Sequence, residues 1–170
     1  LVRLIGILAH APPINGVTSV LILMELNMGL DMNLYGDKSS FTLTPTEEVD
    51  GFPVSSTILN MGYWRKHANL HGFIVDAFAN GEDECQRIHL DADDLGHLIE
   101  CLENDTLYND GATTGFFFGR SYFPGEKDEY GSYEEQKARD IELFTRARNW
   151  LTGNYSKRDE YRSVYYQASW

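Results

Sequence analysis

The segment from Gly62 to Phe73, GYWRKHANLHGF, concentrates residue types that could do chemistry. It combines a tryptophan, two adjacent cations and two histidines. On a helix, at about 100° per residue, Trp64, His71, Val75 and Phe78 share one arc. An imidazole within such an apolar stripe must find a hydrogen-bond partner, because an unsatisfied buried polar group destabilises the fold. His71 is therefore the best marker of a specialised site.

An acid–base reaction would use His71, since an unperturbed imidazole titrates near neutral pH. Asp31, on the polar side of the first predicted strand, is the candidate residue that would orient it. The alternative is that His71 is a satisfied core residue, bonded to the backbone or to Gln167 in the C-terminal tail. The sequence has no GxSxG elbow and no setting for an activated cysteine, so it gives no sign of nucleophilic catalysis.

A ligand could bind beside Trp64, where two cations adjoin an aromatic ring, and a small anionic or nucleotide-like molecule fits that combination. The turn 111–115 offers two hydroxyls and flexible backbone amides to a phosphate, although no lysine follows it as in a Walker loop. The alternatives are a core tryptophan, cations that face solvent or pair with acids, and a plain turn before a buried strand. The candidate ligand-binding residues are Trp64, Arg65, Lys66, His71, Thr113, Thr114 and Gln167.

The sequence predicts neither a metal site nor a cofactor. His67 and His71 are four residues apart, but the HExxH signature requires glutamate where Ala68 stands. Cys85 and Cys101 are not part of a CxxC motif or a Cys/His cluster, which argues against structural zinc. We interpret both cysteines as reduced core residues, typical of a reducing compartment, and expect a cytoplasmic location.

The bulk composition excludes some classes of partner. A chain of 170 residues with 42% hydrophobic and 24% charged residues is typical of one globular domain. Its net charge of −12 argues against binding nucleic acid or an anionic membrane, because both require a basic surface. Basic or neutral partners stay open, including a protein with a basic groove. The oligomeric state is not predicted.

The first residues differ in pattern from the rest. Residues 1–27 contain a Pro12–Pro13 break and two short apolar runs, neither of which reaches the ~20 residues of a membrane span. A signal peptide also requires a basic start and an unbroken apolar stretch. We expect 1–27 to be a non-native leader or translated upstream sequence, with the native start at Met24 or Met28. Residues 28–170 are expected to form a single globular domain.

Two predicted elements carry the candidate residues. The alternation of Leu30, Met32 and Leu34 with polar residues predicts a half-buried strand that ends at 36–37. A helix capped by Ser55, Ser56 or Thr57 is expected to continue to about Ala79.

The remaining elements complete the fold class. Asp91 is expected to cap one helix and Ser132 to begin another. Short strands are predicted at 41–44, 86–90 and 116–118, and a final strand at 161–170. The order β-β-α-(β)-α-β-α-β indicates an α+β or mixed α/β fold: a single domain with a small sheet packed by about three helices.

Five segments of the chain resemble known proteins. They are MGLDMNLYG (28–36), GYWRKHANLHGFIVDAFANG (62–81), DECQRI (83–88), TTGFFFG (113–119) and RSVYYQASW (162–170). In this order they resemble a family of small uncharacterised proteins of bacteriophages and prophages. The similarity covers 28–170, and the family typically starts at the equivalent of Met28. Some relatives carry the automated label phosphoglycerate kinase, an enzyme whose nucleotide motifs this sequence lacks.

The resemblance implies a setting, and the residues leave two hypotheses open. The first is a phage or prophage accessory protein that binds a host protein or a small anionic, nucleotide-like ligand. The alternative is a small enzyme, a phosphotransferase or hydrolase, with His71 at its centre. A polar pocket in which His71 meets a second titratable group would favour the enzyme. An exposed aromatic patch would favour a binder of proteins.

Overall fold

A computed structural model describes residues 29–41, 47–108, 118, 123–128, 131–155 and 157–170. Within these ranges the chain forms three α-helices, a four-stranded antiparallel sheet and two small two-stranded sheets. The expected α+β fold, with a small sheet packed by three helices, is confirmed. The predicted leader, Thr113, Thr114 and most of the strands expected at 41–44 and 116–118 lie outside the described residues.

The elements follow one another in a mixed order. They are β1 (Asp31–Ser40), β2 (Glu48–Val49), β3 (Phe52–Pro53), β4 (Ser56–Arg65), α1 (Ala68–Phe78), β5 (Ile88–Leu90), α2 (Ala92–Glu103), a 3₁₀ turn (Thr106–Tyr108), β6 (Lys127–Asp128), β7 (Gly131–Ser132), α3 (Tyr133–Thr152) and β8 (Glu160–Ser169). The main sheet has the strand order β4-β1-β8-β5.

The two inner strands of the main sheet are far apart in sequence. Asp31 of β1 pairs with Ser169 of β8, and the register continues to Ser40 opposite Glu160. On their other sides β1 pairs with β4 and β8 with β5. The predicted C-terminal strand is therefore confirmed, and it lies inside the sheet rather than at an edge.

The apolar alternation correctly predicts a half-buried β1, but the strand is longer than expected. Met32 and Leu34 are fully buried, whereas Asp31 and Asn33 are partly exposed. The strand does not end at 36–37. It continues to Ser40 because neighbours on both sides supply backbone partners up to that point.

The expected single helix from 55–57 to Ala79 is wrong in its first half. Residues 56–65 form β4, which pairs with β1, and α1 begins only at Ala68. Between them Lys66 adopts a left-handed φ of 58°, which ends the strand. The segment carries Thr57, Ile58 and Gly62, all weak helix formers, and long-range pairing with β1 decides its structure. Trp64 and His71 therefore do not share a helical stripe.

The three helices cover one face of the main sheet. Their buried residues pack against the inward residues of the strands in one core, which includes Met32, Leu34, Leu70, Ile74, Leu95, Leu98, Phe144, Ala147, Val164 and Tyr166. The intervening strand residues, such as Asn33, Tyr63 and His89, point the other way. We call this second side the outer face, and none of the described helices packs on it.

Helices α2 and α3 begin as predicted. The Asp91 carboxylate accepts hydrogen bonds from the backbone amides of Asp93 (2.8 Å) and Asp94 (2.9 Å). In turn the Asp91 amide donates to Oδ2 of Asp94 at 2.9 Å, which completes a capping box. Ser132 and Glu135 form the same arrangement at the start of α3.

The cap of α2 gives a stability prediction. Asp91→Ala should lower the free energy of unfolding by about 1 kcal/mol, because two amides lose their acceptor. Asp93→Ala is the control, since the Asp93 side chain accepts neither bond. Urea unfolding curves with equal slopes would measure the difference. Equal losses in the two variants would show that the cap is not the stabilising feature.

Candidate functional site

His71 lies at the centre of a buried line of three polar side chains. Helix α1 places its fully buried ring between the sheet and the turn that follows the helix. The Nδ1 atom is 2.7 Å from the hydroxyl of Tyr166 on β8, and the Nε2 atom is 2.9 Å from Oδ2 of Asp83. Both ring nitrogens are thus engaged, as the burial of an imidazole requires.

The charge states of the partners determine the direction of these hydrogen bonds. Burial, with the negative charge of Asp83, raises the pKa of Tyr166 well above its usual value. The phenol therefore keeps its proton, and with a neutral imidazole it donates this proton to Nδ1. A carboxylate only accepts, so Nε2–H donates to Asp83. In this arrangement the His71 ring carries its proton on Nε2.

Aromatic rings enclose the imidazole. Phe118 stacks on the His71 ring with a centroid distance of 5.6 Å and an interplanar angle of 15°, and Trp170 lies at 5.8 Å. Within the line, Asp83 reaches solvent, with 23% of its side chain exposed. His71 therefore positions its neighbours but does not itself face a ligand.

The structure pairs Asp31 with other residues. Its carboxylate accepts from Arg65 Nη1 at 2.9 and 3.0 Å and from the Tyr63 hydroxyl. All three lie on the outer face of β1 and β4. The expectation that Asp31 orients His71 is wrong, since both nitrogens of His71 are bound by Tyr166 and Asp83. Arg65 has its own anionic partner and is not a spare cation.

Trp64 belongs to the core. Its ring is 2% exposed and stacks on Phe144 at 5.6 Å. The indole N–H donates to Oδ1 of Asp140 at 2.7 Å, and the other oxygen of this buried carboxylate lies 3.0 Å from Nε2 of His67. The core alternative for Trp64 is therefore confirmed. An aromatic platform for a nucleotide is not available at this position.

The other predicted ligand residues do not gather around His71. Lys66 is exposed, in the turn between β4 and α1. Gln167 donates from Nε2 to the backbone oxygen of Cys85 at 3.1 Å, rather than to His71. Thr113 and Thr114 lie outside the described residues.

Sequence reasoning missed three residues of these networks. Asp140 had a visible signal, because it shares a helical face with Phe144 and Ala147, where an acid is unexpected. Tyr166 and Asp83 had a weaker signal. Each lies in a segment that carried the family resemblance. However, neither segment has a sequence pattern that indicates that β8 and the turn after α1 meet at His71.

The described ranges contain no group of three His, Cys, Asp or Glu residues that could hold a metal ion. None of the helices in those ranges has both the length and the apolar composition needed to cross a membrane. A scan against protein-family models and searches of curated proteins and solved structures find no match to this chain.

The buried line predicts that removing the hydroxyl of Tyr166 costs more stability than removing that of its neighbour Tyr165. Tyr166→Phe should lower the free energy of unfolding by about 1–3 kcal/mol, because Nδ1 of His71 loses its donor inside the core. Tyr165→Phe is the matched control, since its hydroxyl forms no hydrogen bond with another described residue. Chemical denaturation of both variants measures the contrast, and a Tyr166→Phe variant as stable as the control would contradict the account.

The raised pKa of Tyr166 also predicts a pH dependence. Because the folded state holds the phenolic proton more tightly, its contribution to stability is fully present below the unfolded pKa of about 10. It is lost as the pH rises through the folded pKa. The free energy of unfolding should fall less steeply above about pH 10 in Tyr166→Phe than in the parent. Parallel curves for the two proteins would show that Tyr166 does not contribute.

Proposed function

We propose that this chain is a binding protein, a cytoplasmic accessory protein of a phage or prophage that acts on a host protein. One observation carries the proposal. The three helices pack on one side of the main sheet, and the outer face presents tyrosines from three strands. The family resemblance supports the phage setting, and the net charge of −12 favours a basic or neutral partner surface.

The outer face has the composition of a protein-binding surface. Tyr63 and Tyr161 are 52% and 57% exposed. Between them the partly exposed Tyr35 packs on Tyr165 at a centroid distance of 5.2 Å. Tyr165 itself is only 3% exposed and supports the surface from below, with the Arg87 guanidinium 4.6 Å from its ring centroid. Tyrosine gives a large contact area with few rotatable bonds and a polar tip, which is why binding surfaces use it often.

The enzyme hypothesis has one observation in its favour, the line Asp83–His71–Tyr166. An acid that orients a histidine, which in turn contacts a hydroxyl, resembles the arrangement that activates a nucleophile. However, the hydroxyl at the end of this line is buried, with Tyr166 only 1% exposed. Its raised pKa also opposes ionisation. The geometry supports a structural connection better than a phosphotransferase or hydrolase centre.

The alternative that the protein binds a small anionic ligand has little support at its predicted site, residues 64–66. A nucleotide-like molecule at residues 64–66 would need the indole of Trp64, which lies in the core, and the charge of Arg65, which Asp31 neutralises. A protein partner on the outer face needs neither. We therefore favour the host-protein alternative.

A comparison of two surface variants tests the proposal. The protein is expressed in bacterial cells, purified by affinity tag and examined by native mass spectrometry. We expect the parent to retain a host protein at a defined stoichiometry, and Tyr63→Ala/Tyr161→Ala to lose it, because truncating exposed aromatic anchors removes the contacts that dominate binding. Phe52→Ala is the control, since it removes an aromatic ring that is 75% exposed in β3, outside the main sheet.

Circular dichroism must show that both variants fold like the parent. A host protein that stays bound to the tyrosine variant, or that Phe52→Ala loses equally, would contradict the assignment of the outer face. A parent that retains no host protein would contradict the binding function itself.

A further inference from the structure

A groove separates the edge strand β4 from helix α3 on the helical side of the sheet. Its volume is 440 Å³, and it is lined by Leu59, Asn60, Met61, Leu143, Arg146, Ala147, Asn149 and Trp150. Sites for small organic molecules typically enclose about 300–1,000 Å³ and combine apolar walls with a few polar groups. The groove has this size and this mixture, and it is separate from the His71 line and from the outer face.

Two glycines allow the apolar floor of the groove to form. A β-carbon on Gly36 would overlap the end of the Met61 side chain and lie 3.2 Å from the Trp150 ring. A β-carbon on Gly62 would overlap the Leu143 side chain. With glycine at both positions, Met61 and Leu143 lie directly against the sheet. Larger residues would push these side chains outward, into the space of the groove.

The polar side of the groove is cationic in a strongly acidic protein. Arg146 is exposed on α3 and forms no hydrogen bond or ion pair with the other residues that the structure describes. The amide side chain of Asn149 likewise has no hydrogen bond to the described part of the chain. A guanidinium beside an apolar floor complements a carboxylate or sulfonate attached to an apolar body.

We propose that this groove binds a small amphipathic anion, an aliphatic or aromatic molecule with one carboxylate or sulfonate group. The apolar body lies on Leu59, Met61 and Leu143, and the anionic group contacts Arg146, with the Asn149 amide as a further donor. This inference does not depend on a protein partner at the outer face. Failure of either proposal leaves the other in place.

Isothermal titration calorimetry with decanoate tests both whether the groove binds an amphipathic anion and whether the Arg146 charge contributes to the affinity. We expect saturable binding to the full chain, and Arg146→Gln should weaken it by about tenfold or more, because a charge-assisted hydrogen bond is lost. Arg146→Lys should restore part of the affinity. Arg139→Gln is the matched control, since it removes an exposed arginine of the same helix that does not line the groove. It should bind decanoate like the parent.

Decanol, the neutral analogue, should bind more weakly, with an affinity that does not change in Arg146→Gln. The proposal is overturned if decanoate produces no saturable heat, or if Arg139→Gln weakens binding as much as Arg146→Gln. Light scattering adds a further contradicting outcome. If decanoate converts a dimer to a monomer, and Arg146→Gln is already monomeric, the groove holds a second copy of the chain and not a small anion.

Discussion

The backbone pairing of β1 with β8 is the contact on which the rest of the structure depends. It joins residues near the two ends of the described chain, with Asp31 opposite Ser169. Both strands are inner strands, so each also supplies an edge for another strand, β4 on one side and β5 on the other. Without this pairing the helices would have no sheet against which to bury their apolar residues.

The same pairing determines where the polar groups of the core meet. Tyr166 lies on the inward side of β8, so it contacts His71 of α1, and His71 connects it to Asp83 in the following turn. On the other side of the core, Asp140 of α3 binds the last buried residue of β4, Trp64, and also His67. Each network therefore joins elements that are distant in sequence. Each such hydrogen bond contributes little net stability when it forms. Removing one partner, however, leaves the other polar group buried without a hydrogen bond, which lowers stability more.

Sequence patterns within a single segment were sufficient to predict the elements that those patterns determine. The apolar alternation of β1, the caps Asp91 and Ser132, and the apolar tail all predicted elements that the structure confirms. Strand β4 was missed because its apolar spacing also fits a helix, and its pairing with β1 is a long-range property. This one error moved Trp64 onto the wrong element and placed it on a helical stripe with His71, which the structure does not form. His71 was correctly singled out as a buried histidine, but its partners Asp83 and Tyr166 depend on the tertiary fold.

His71 is a sealed interior group, since its ring is buried and both of its nitrogens are hydrogen-bonded within the protein. Modification with diethyl pyrocarbonate, followed by peptide mass spectrometry, tests this burial directly, because the reagent acylates a histidine only where its imidazole nitrogen is accessible. His89 and His97 are exposed, whereas His67 and His71 are buried. We expect the folded protein to be modified at His89 and His97 and protected at His67 and His71 until denaturant is added. Modification of His71 in the folded protein at a rate similar to that of His89 would contradict the account.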